Sequence, residues 1–214
     1  MENQISDIRR EYRKHKLTPD TLSNNPFEQF QHWLDDALNS SEEEPTAMIV
    51  ATVSADGHPS TRTVLLKGVE NGKIIFFTNY ESRKGQQLTA NPYLSLSFVW
   101  HKLERQIHIE GKAEKCLPEY SDAYFASRPY KSKIGARISP QSRTISSRME
   151  IMRAFIYEAA KLTGQTIRRP DNWGGFAVTP TRFEFWQGRE NRLHDRFEYT
   201  LQSDKSWQRV RLAP

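Results

Sequence analysis

The sequence predicts a mainly β fold, an antiparallel barrel with peripheral helices, and three observations carry that expectation. A run of five short segments with two-residue periodicity is punctuated by hairpin dipeptides such as Asp56-Gly57 and Asn71-Gly72. Segments of helical period interrupt these strands instead of alternating with them, and further short strands close the chain. Neither a repeat nor a low-complexity tract intervenes, so residues 26–214 are expected to form a single domain preceded by a mobile arm over 1–25.

The arm is polar. A short helix is compatible with Ile5–Tyr12, and Thr18-Pro19 and Asn25-Pro26 break the chain after it. From Phe27 to Leu38, the apolar positions Phe27, Phe30, Trp33, Leu34, Ala37 and Leu38 recur at helical spacing. The period then changes to two: strands are expected over Thr46–Ser54, Ser60–Lys67 and Lys73–Thr78. Ser82 is placed to cap a helix running to Ala90, which Asn91-Pro92 stops. Tyr93–Trp100 and Arg105–Lys115 alternate again, with Ile107 and Ile109 on one face and Gln106, His108 and Glu110 on the other. Pro118 opens a helix to about Ala126, and Ser147 with Glu150 predicts a capping box before a helix that Gly164 ends. A linker over Gln165–Asn172 leads to strands at Phe176–Thr179, Arg182–Gln187, Leu193–Leu201 and Trp207–Leu212.

Composition narrows the chemistry. The 214 residues hold one cysteine, Cys116, which excludes a disulfide framework and a cysteine-rich zinc site and suits a reducing compartment. No apolar run is long enough for a membrane span, and the first residues lack the apolar core of a signal peptide, so a cytoplasmic location is expected. The ten glycines form neither G-x-G-x-x-G nor a Walker loop, and H-E-x-x-H, C-x-x-C and G-x-S-x-G are missing. Six histidines lie scattered, and no metal site is expected. The formal charge of +5 suits an anionic partner without choosing among nucleic acid, phosphorylated metabolites and solubility.

Short basic segments remain. Arg62 and Lys67, at the two ends of Arg62-Thr63-Val64-Leu65-Leu66-Lys67, have opposite parity on a regular strand and would serve different faces or ligands unless a bulge intervenes. Ser82-Arg83-Lys84 sets two cations at a helix N-terminus, where phosphate binds without any glycine loop. Taken alone, each reads first as a solvated surface. Trp173-Gly174-Gly175-Phe176 and Phe185-Trp186-Gln187-Gly188 pair aromatics with glycine, which suits core packing or close approach to a flat ring. If Arg192-Leu193-His194-Asp195-Arg196 is extended, Arg192, His194 and Arg196 share a face, and their mutual repulsion calls for a bound anion or for facing carboxylates.

The ordered set R-x-V-L-L-K, S-R-K, L-E-R-Q, S-R-P, Q-S, W-G-G-F, F-W-Q-G, R-L-H-D-R and terminal R-L-A-P, running from Arg9 to Pro214, resembles the pyridoxamine 5′-phosphate oxidase family. The resemblance implies an FMN-binding split β-barrel, a homodimer with FMN at the subunit interface. It implies oxidation of pyridoxamine or pyridoxine 5′-phosphate to pyridoxal 5′-phosphate with dioxygen, and no nucleic-acid or membrane partner. It assigns Arg62, Thr63, Val64, Leu65, Leu66, Lys67, Phe77, Thr78, Arg83, Lys84, Gln106, Gln141, Ser142, Trp186 and Arg196 to the flavin, some of them from the neighbouring subunit. It assigns Lys67, Tyr124, Arg128 and Ser132 to the substrate phosphate. Arg192, Leu193 and His194 face the pyridine ring, with Arg192 and His194 as the catalytic pair that orients substrate and helps proton removal. Arg9, Arg10, Glu11 and Tyr12 form the lid. Phe77 stands where many relatives have Tyr, and Ala177 where Arg is frequent. The other readings are a different split-barrel FMN-dependent reductase and a basic β-barrel RNA-binding module.

Overall fold

In a computed structural model, Ile5 and residues 11–214 are described. The strands are β1 (Ala47–Val53), β2 (Pro59–Leu65), β3 (Gly68–Glu70), β4 (Lys73–Asn79), β5 (Tyr93–Trp100), β6 (Arg105–Lys115), β7 (Trp173–Gln187), β8 (Asp195–Leu201) and β9 (Trp207–Leu212). The helices are α1 (Pro26–Leu38), α2 (Arg83–Ala90), α3 (Pro118–Ser127), α4 (Tyr130–Ile138) and α5 (Arg148–Lys161). The strands form one nine-stranded sheet in the order β2-β1-β5-β6-β7-β4-β3, with β8 pairing β7 and β9 pairing β8. This is the mainly β architecture with helices that the periodicity predicts. No helix among the described residues is long and apolar enough to cross a membrane.

Two units divide the chain: one comprises Met1–Ile49, Ser95–Gly111 and Pro180–Pro214, the other Val50–Leu94 and Lys112–Thr179. In the first, Asn25 caps α1 by accepting from the Phe27 amide at 2.9 Å, and Pro26 occupies the first turn, where its missing N–H costs nothing. The buried face of α1 is Pro26, Gln29, Phe30, Trp33, Leu34 and Ala37. Trp33 meets Phe185 edge-on at 5.3 Å, and Phe30 meets Phe98 at 5.3 Å. The described part of the N-terminal arm is anchored here. Leu17 and Leu22 are buried, the Leu17 amide donates to Asp195, and Tyr199 donates its hydroxyl hydrogen to the Ser23 carbonyl. The expected helix at Ile5–Tyr12 falls mostly outside the described residues, and Glu11 and Tyr12 are not helical.

In the second unit, β4 pairs antiparallel with the first half of β7, setting Phe77 opposite Gly175 and Asn79 opposite Trp173. Phe76 stacks on Phe176 at 5.7 Å in its core. A second cluster, Phe125, Ile134, Ile167 and Trp173, gathers Phe77, Tyr124, Phe155 and Leu162 around it. Helix α2 is capped by Ser82, whose hydroxyl accepts from the Gly85 amide. Gly85 is required there, because a Cβ would lie 2.3 Å from the Tyr80 carbonyl oxygen.

Four element expectations need correction. Helix α4 was not foreseen, since of its residues only Ile134 is buried and no apolar period marks it. The two strands expected at Phe176–Thr179 and Arg182–Gln187 are one strand, β7. The predicted capping box of α5 is only half made: Ser147 accepts from the Glu150 amide, but the Glu150 carboxylate takes the Ser146 amide and hydroxyl instead of closing on Ser147. The extended stretch expected from Leu193 begins only at Asp195 and is preceded by a 3₁₀ turn, Glu190–Arg192, in which Asn191 and Arg192 have φ of 55° and 61°. Arg192, His194 and Arg196 therefore do not share a strand face.

Candidate functional site

The second unit contains a cavity of about 620 Å³ lined by the end of β2, by β4, by the first turn of α2 and by α3, α4 and the chain after it. Of the residues expected at a site, Thr63, Val64, Leu65, Lys67, Phe77, Thr78, Lys84, Tyr124, Arg128, Ser132 and Gln141 line it. Asn79, Pro129, Gly135, Ala136, Ser139 and Trp173 complete the wall. Trp173 carried a signal in the W-G-G-F motif, whereas Gly135, Ala136 and Ser139 belong to or follow the helix that sequence reading missed. Strand β2 ends at Leu65, so strict strand parity does not extend to Lys67, whose amide donates to the Ile75 carbonyl at 2.8 Å. Leu66 turns into the core. Ser142 and Arg83 are exposed outside the cavity wall.

One wall is a stack of flat rings. Phe77 lies nearly parallel to Tyr124 at 3.9 Å, to Trp173 at 5.4 Å and to Tyr120 at 6.1 Å. Gly175, opposite Phe77 on β7, leaves room for this: a Cβ there would sit 3.0 Å from the Phe77 ring and 2.7 Å from the Cys116 sulfur. The Arg128 guanidinium lies 4.5 Å from the Trp173 centroid.

The cavity is cationic. Lys67, Lys84 and Arg128 line it, and among the described residues no carboxylate does. Lys84 is buried, donates to the Thr78 hydroxyl at 3.0 Å, and has its pKa pushed down to about 8 by burial and then by the charge of Arg62. Burial likewise lowers the pKa of Arg128, whose Nη1 is buried without a hydrogen-bond partner. A buried guanidinium nitrogen left unsatisfied costs free energy that an anionic acceptor returns. Beside the cavity, Arg62 directs its fork at the Val50 carbonyl and the Thr52 and Ser60 hydroxyls.

The remaining expected residues belong to the first unit. Gln106 is half-buried on β6. Arg196 is held by Glu184 at 2.8 Å and donates to the Ala213 carbonyl at 2.8 Å. Trp186, His194 and Tyr12 form an aromatic group: Trp186 and His194 lie 4.5 Å apart, and Tyr12 meets them edge-on at 5.7 and 5.8 Å. Arg9 and Arg10 lie outside the described residues. Leu193 is two-thirds exposed, at 67%. Burial and the charges of Arg192 and Arg196 depress the His194 pKa, and its Nδ1 accepts the Arg189 amide hydrogen at 3.1 Å. A neutral imidazole accepting at Nδ1 carries its hydrogen on Nε2. In that tautomer the Nε2 hydrogen of His194 is the one it has to donate.

Tyr12 owes its seat to Gly188, where a Cβ would fall 2.6 Å from the tyrosine Cγ. The chain beyond is fastened by the Glu104 carboxylate, which accepts from the Arg13 and Lys14 amides at 2.9 and 3.0 Å. Gly188→Ala should displace Tyr12 and speed tryptic cleavage at Arg13 and Lys14 by about fivefold, since local opening governs such cleavage. Mass spectrometry of a digestion time course measures it, and an unchanged rate counts against the seat.

A mainly β sheet with helices, bearing a cavity with cationic residues and stacked aromatic rings in its wall, defines the class of protein by its fold and site. The comparisons with known proteins give the family. A family model described as pyridoxamine 5′-phosphate oxidase matches residues 34–159, and one described as the pyridoxine 5′-phosphate oxidase C-terminal dimerisation region matches 173–214. A pyridoxine/pyridoxamine 5′-phosphate oxidase of Bacteroides thetaiotaomicron is 64% identical, covering 98% of this chain and 99% of its own. That of Porphyromonas gingivalis is 58% identical over the whole of both chains. Among solved structures, PhzG from Burkholderia lata, in complex with tetrahydrophenazine-1-carboxylic acid, superposes with a TM-score of 0.87 at 27% identity, covering 93% of this chain and 98% of its own. The chain belongs to the pyridoxamine 5′-phosphate oxidase family of enzymes, and its fold is the split barrel of that family.

Proposed function

We propose that the protein is an FMN-dependent oxidase that converts pyridoxamine 5′-phosphate or pyridoxine 5′-phosphate to pyridoxal 5′-phosphate. The observation that carries this reading is the cavity itself, where Lys67, Lys84 and Arg128 converge without a carboxylate and Arg128 Nη1 lacks a partner. A phosphate monoester carries a charge of about −1.5 to −2 near neutral pH, and both the flavin and the substrate bear one. The cation set fits such groups. Bound there, FMN supplies at N5 the acceptor for the hydride leaving C4′, with dioxygen as final electron acceptor and hydrogen peroxide as its product.

The chain's own residues bind and orient. Arg62, Arg83 and Lys84 hold the flavin phosphate, with Thr63, Val64, Leu65, Leu66, Phe77 and Thr78 along the rest of the cofactor. Lys67, Tyr124, Arg128 and Ser132 take the substrate phosphate. Gln106, Gln141, Ser142, Trp186 and Arg196 complete the flavin site, in part from the second copy of a homodimer. The match to a dimerisation region over 173–214 supports that assembly. Arg192 and His194 orient the pyridine ring beside Leu193, His194 donating from Nε2, and Arg9, Arg10, Glu11 and Tyr12 act as a lid. A cytoplasmic location suits an enzyme of this family. Holding the reacting carbon within about 3–3.5 Å of its acceptor is the protein's main contribution to rate.

The likeness to PhzG gives a second reading, a split-barrel flavoprotein acting on another reduced ring system. The purified protein, supplied with FMN, pyridoxamine 5′-phosphate and air, should be yellow and release pyridoxal 5′-phosphate and peroxide in equal amounts. A yellow protein that forms no product favours the second reading, and a colourless one that cannot take up FMN sinks both.

A further inference from the structure

Gln87 was not among the residues expected at a site, yet the Arg62 guanidinium is braced on it. It lies one turn after Arg83 on the same face of α2 and is only 6% exposed. Arg62 donates from Nη1 to the Thr52 hydroxyl at 2.6 Å and from Nη2 to the Ser60 hydroxyl at 2.8 Å. Both hydroxyls, having accepted from the guanidinium, turn their own hydrogens onto a single atom: Thr52 donates to Gln87 Oε1 at 2.5 Å and Ser60 at 3.0 Å. Arg62 Nη2 itself lies 3.5 Å from the same oxygen. These donors fix the carboxamide with its oxygen toward Arg62. Its other end, Nε2, is buried and has no hydrogen-bond partner.

The surroundings point the same way. Arg62 senses the charge of Arg83, Lys84 senses that of Arg62, and among the described residues no carboxylate forms an ion pair with any of the three. Asp56, fully exposed, feels Arg83 only at longer range. Cations that no carboxylate pairs with directly, one of them hydroxyl-braced beside an unsatisfied amide donor, make an incomplete shell for a tetrahedral anion.

We propose that Gln87 is the specificity-determining residue of this anion site: it holds the Arg62 fork through Thr52 and Ser60, and its free Nε2 hydrogen completes the shell around the flavin's phosphate. This inference rests on the flavin reading above and deepens it by naming what separates FMN from its unphosphorylated form, riboflavin.

The test is titration of the full-length protein, freed of bound flavin, with FMN and with riboflavin, following flavin fluorescence quenching. Wild type should prefer FMN. Gln87→Met, similar in length and apolar, should weaken FMN by about 10- to 100-fold, the range for a lost hydrogen bond to a charged group, and leave riboflavin within about twofold. Gln87→Glu keeps the shape and the acceptor but adds a negative charge, so it should lose FMN more than Gln87→Met does while also sparing riboflavin. A purely structural role would weaken both flavins in parallel. Equal losses for the two flavins, or unchanged preference in both variants, overturn the proposal. A wild-type protein that binds neither flavin overturns the flavin reading and this inference with it, whereas preserved preference in the variants overturns this inference alone.

Discussion

Arg192→Ala should lower kcat for pyridoxamine 5′-phosphate by about 100-fold, the scale set by removing one preorganised charge-stabilising donor, while flavin content stays at the wild-type level. Asn191 and Arg192 both lie in the left-handed region, at φ 55° and 61°, and neither is glycine. Backbone of that kind costs on the order of 1–3 kcal/mol per residue and concentrates at functional sites. Here the turn holds an exposed guanidinium that forms no ion pair among the described residues, close enough to His194 to depress the imidazole's pKa. His194, neutral and fixed by the Arg189 amide, offers Nε2–H beside it. An anionic or electron-rich ring would find two donors already oriented. Arg192→Lys keeps the charge but loses the planar fork, so it should recover only part of the rate. Steady-state kinetics with flavin content read from the visible spectrum decide the matter: an unchanged kcat in Arg192→Ala rejects the role, and a loss that merely tracks lost flavin assigns Arg192 to cofactor retention instead.

That turn also shows where sequence reading stops. Strands β4, β5 and β6 were legible nearly to the residue because alternation reports one buried face, and Asn71-Gly72, both at positive φ, announced the hairpin before β4. The same logic misled at Arg192–Arg196, where non-glycine residues adopt a conformation for which composition gives no sign. Pro180 lies between the two strands expected at Phe176–Thr179 and Arg182–Gln187, which are one strand, β7. The register explains its tolerance: pairing with β4 ends at Val178 and pairing with β8 begins at Arg182, so on that edge no ladder hydrogen bond is asked of its missing N–H. At the cavity, residues named by charge or by motif, such as Lys67, Lys84 and Arg128, were legible. Gln87, which does not line the cavity, was not singled out, because a glutamine on a short polar helix looks solvated until Thr52 of β1 and Ser60 of β2 are brought onto it.

Lys84→Met should weaken FMN binding by about 100-fold at pH 7, on the scale of charge-assisted hydrogen bonds to phosphate, and should also change how binding depends on pH. In the unliganded protein Lys84 titrates near pH 8, against an ordinary 10.5, because burial and Arg62 disfavour its charge. A bound phosphate dianion favours the charged amine and raises that pKa. Below pH 8 the amine is already protonated and affinity is insensitive to its titration. Above pH 8 binding must take up a proton, so affinity should fall by about tenfold per pH unit until the raised pKa of the complex is reached. Folding responds with the opposite sign. Between about 8 and 10.5 the unfolded chain holds the Lys84 proton and the unliganded native state does not, so this lysine makes the flavin-free protein more stable as pH rises through that window. Cys116, whose thiol burial pushes up to about 11, acts in the contrary direction from its ordinary 9.0 upward, which is why the comparison is wild type against Lys84→Met at each pH. Isothermal titration with FMN in buffers of different ionisation enthalpy reads the proton uptake directly, and denaturant melts of the flavin-free protein read the stability. Uptake above pH 8 in wild type and its loss in Lys84→Met are the expected pair. An alkaline decline in affinity that persists in the variant would assign the titration to another group and remove Lys84 from the phosphate site.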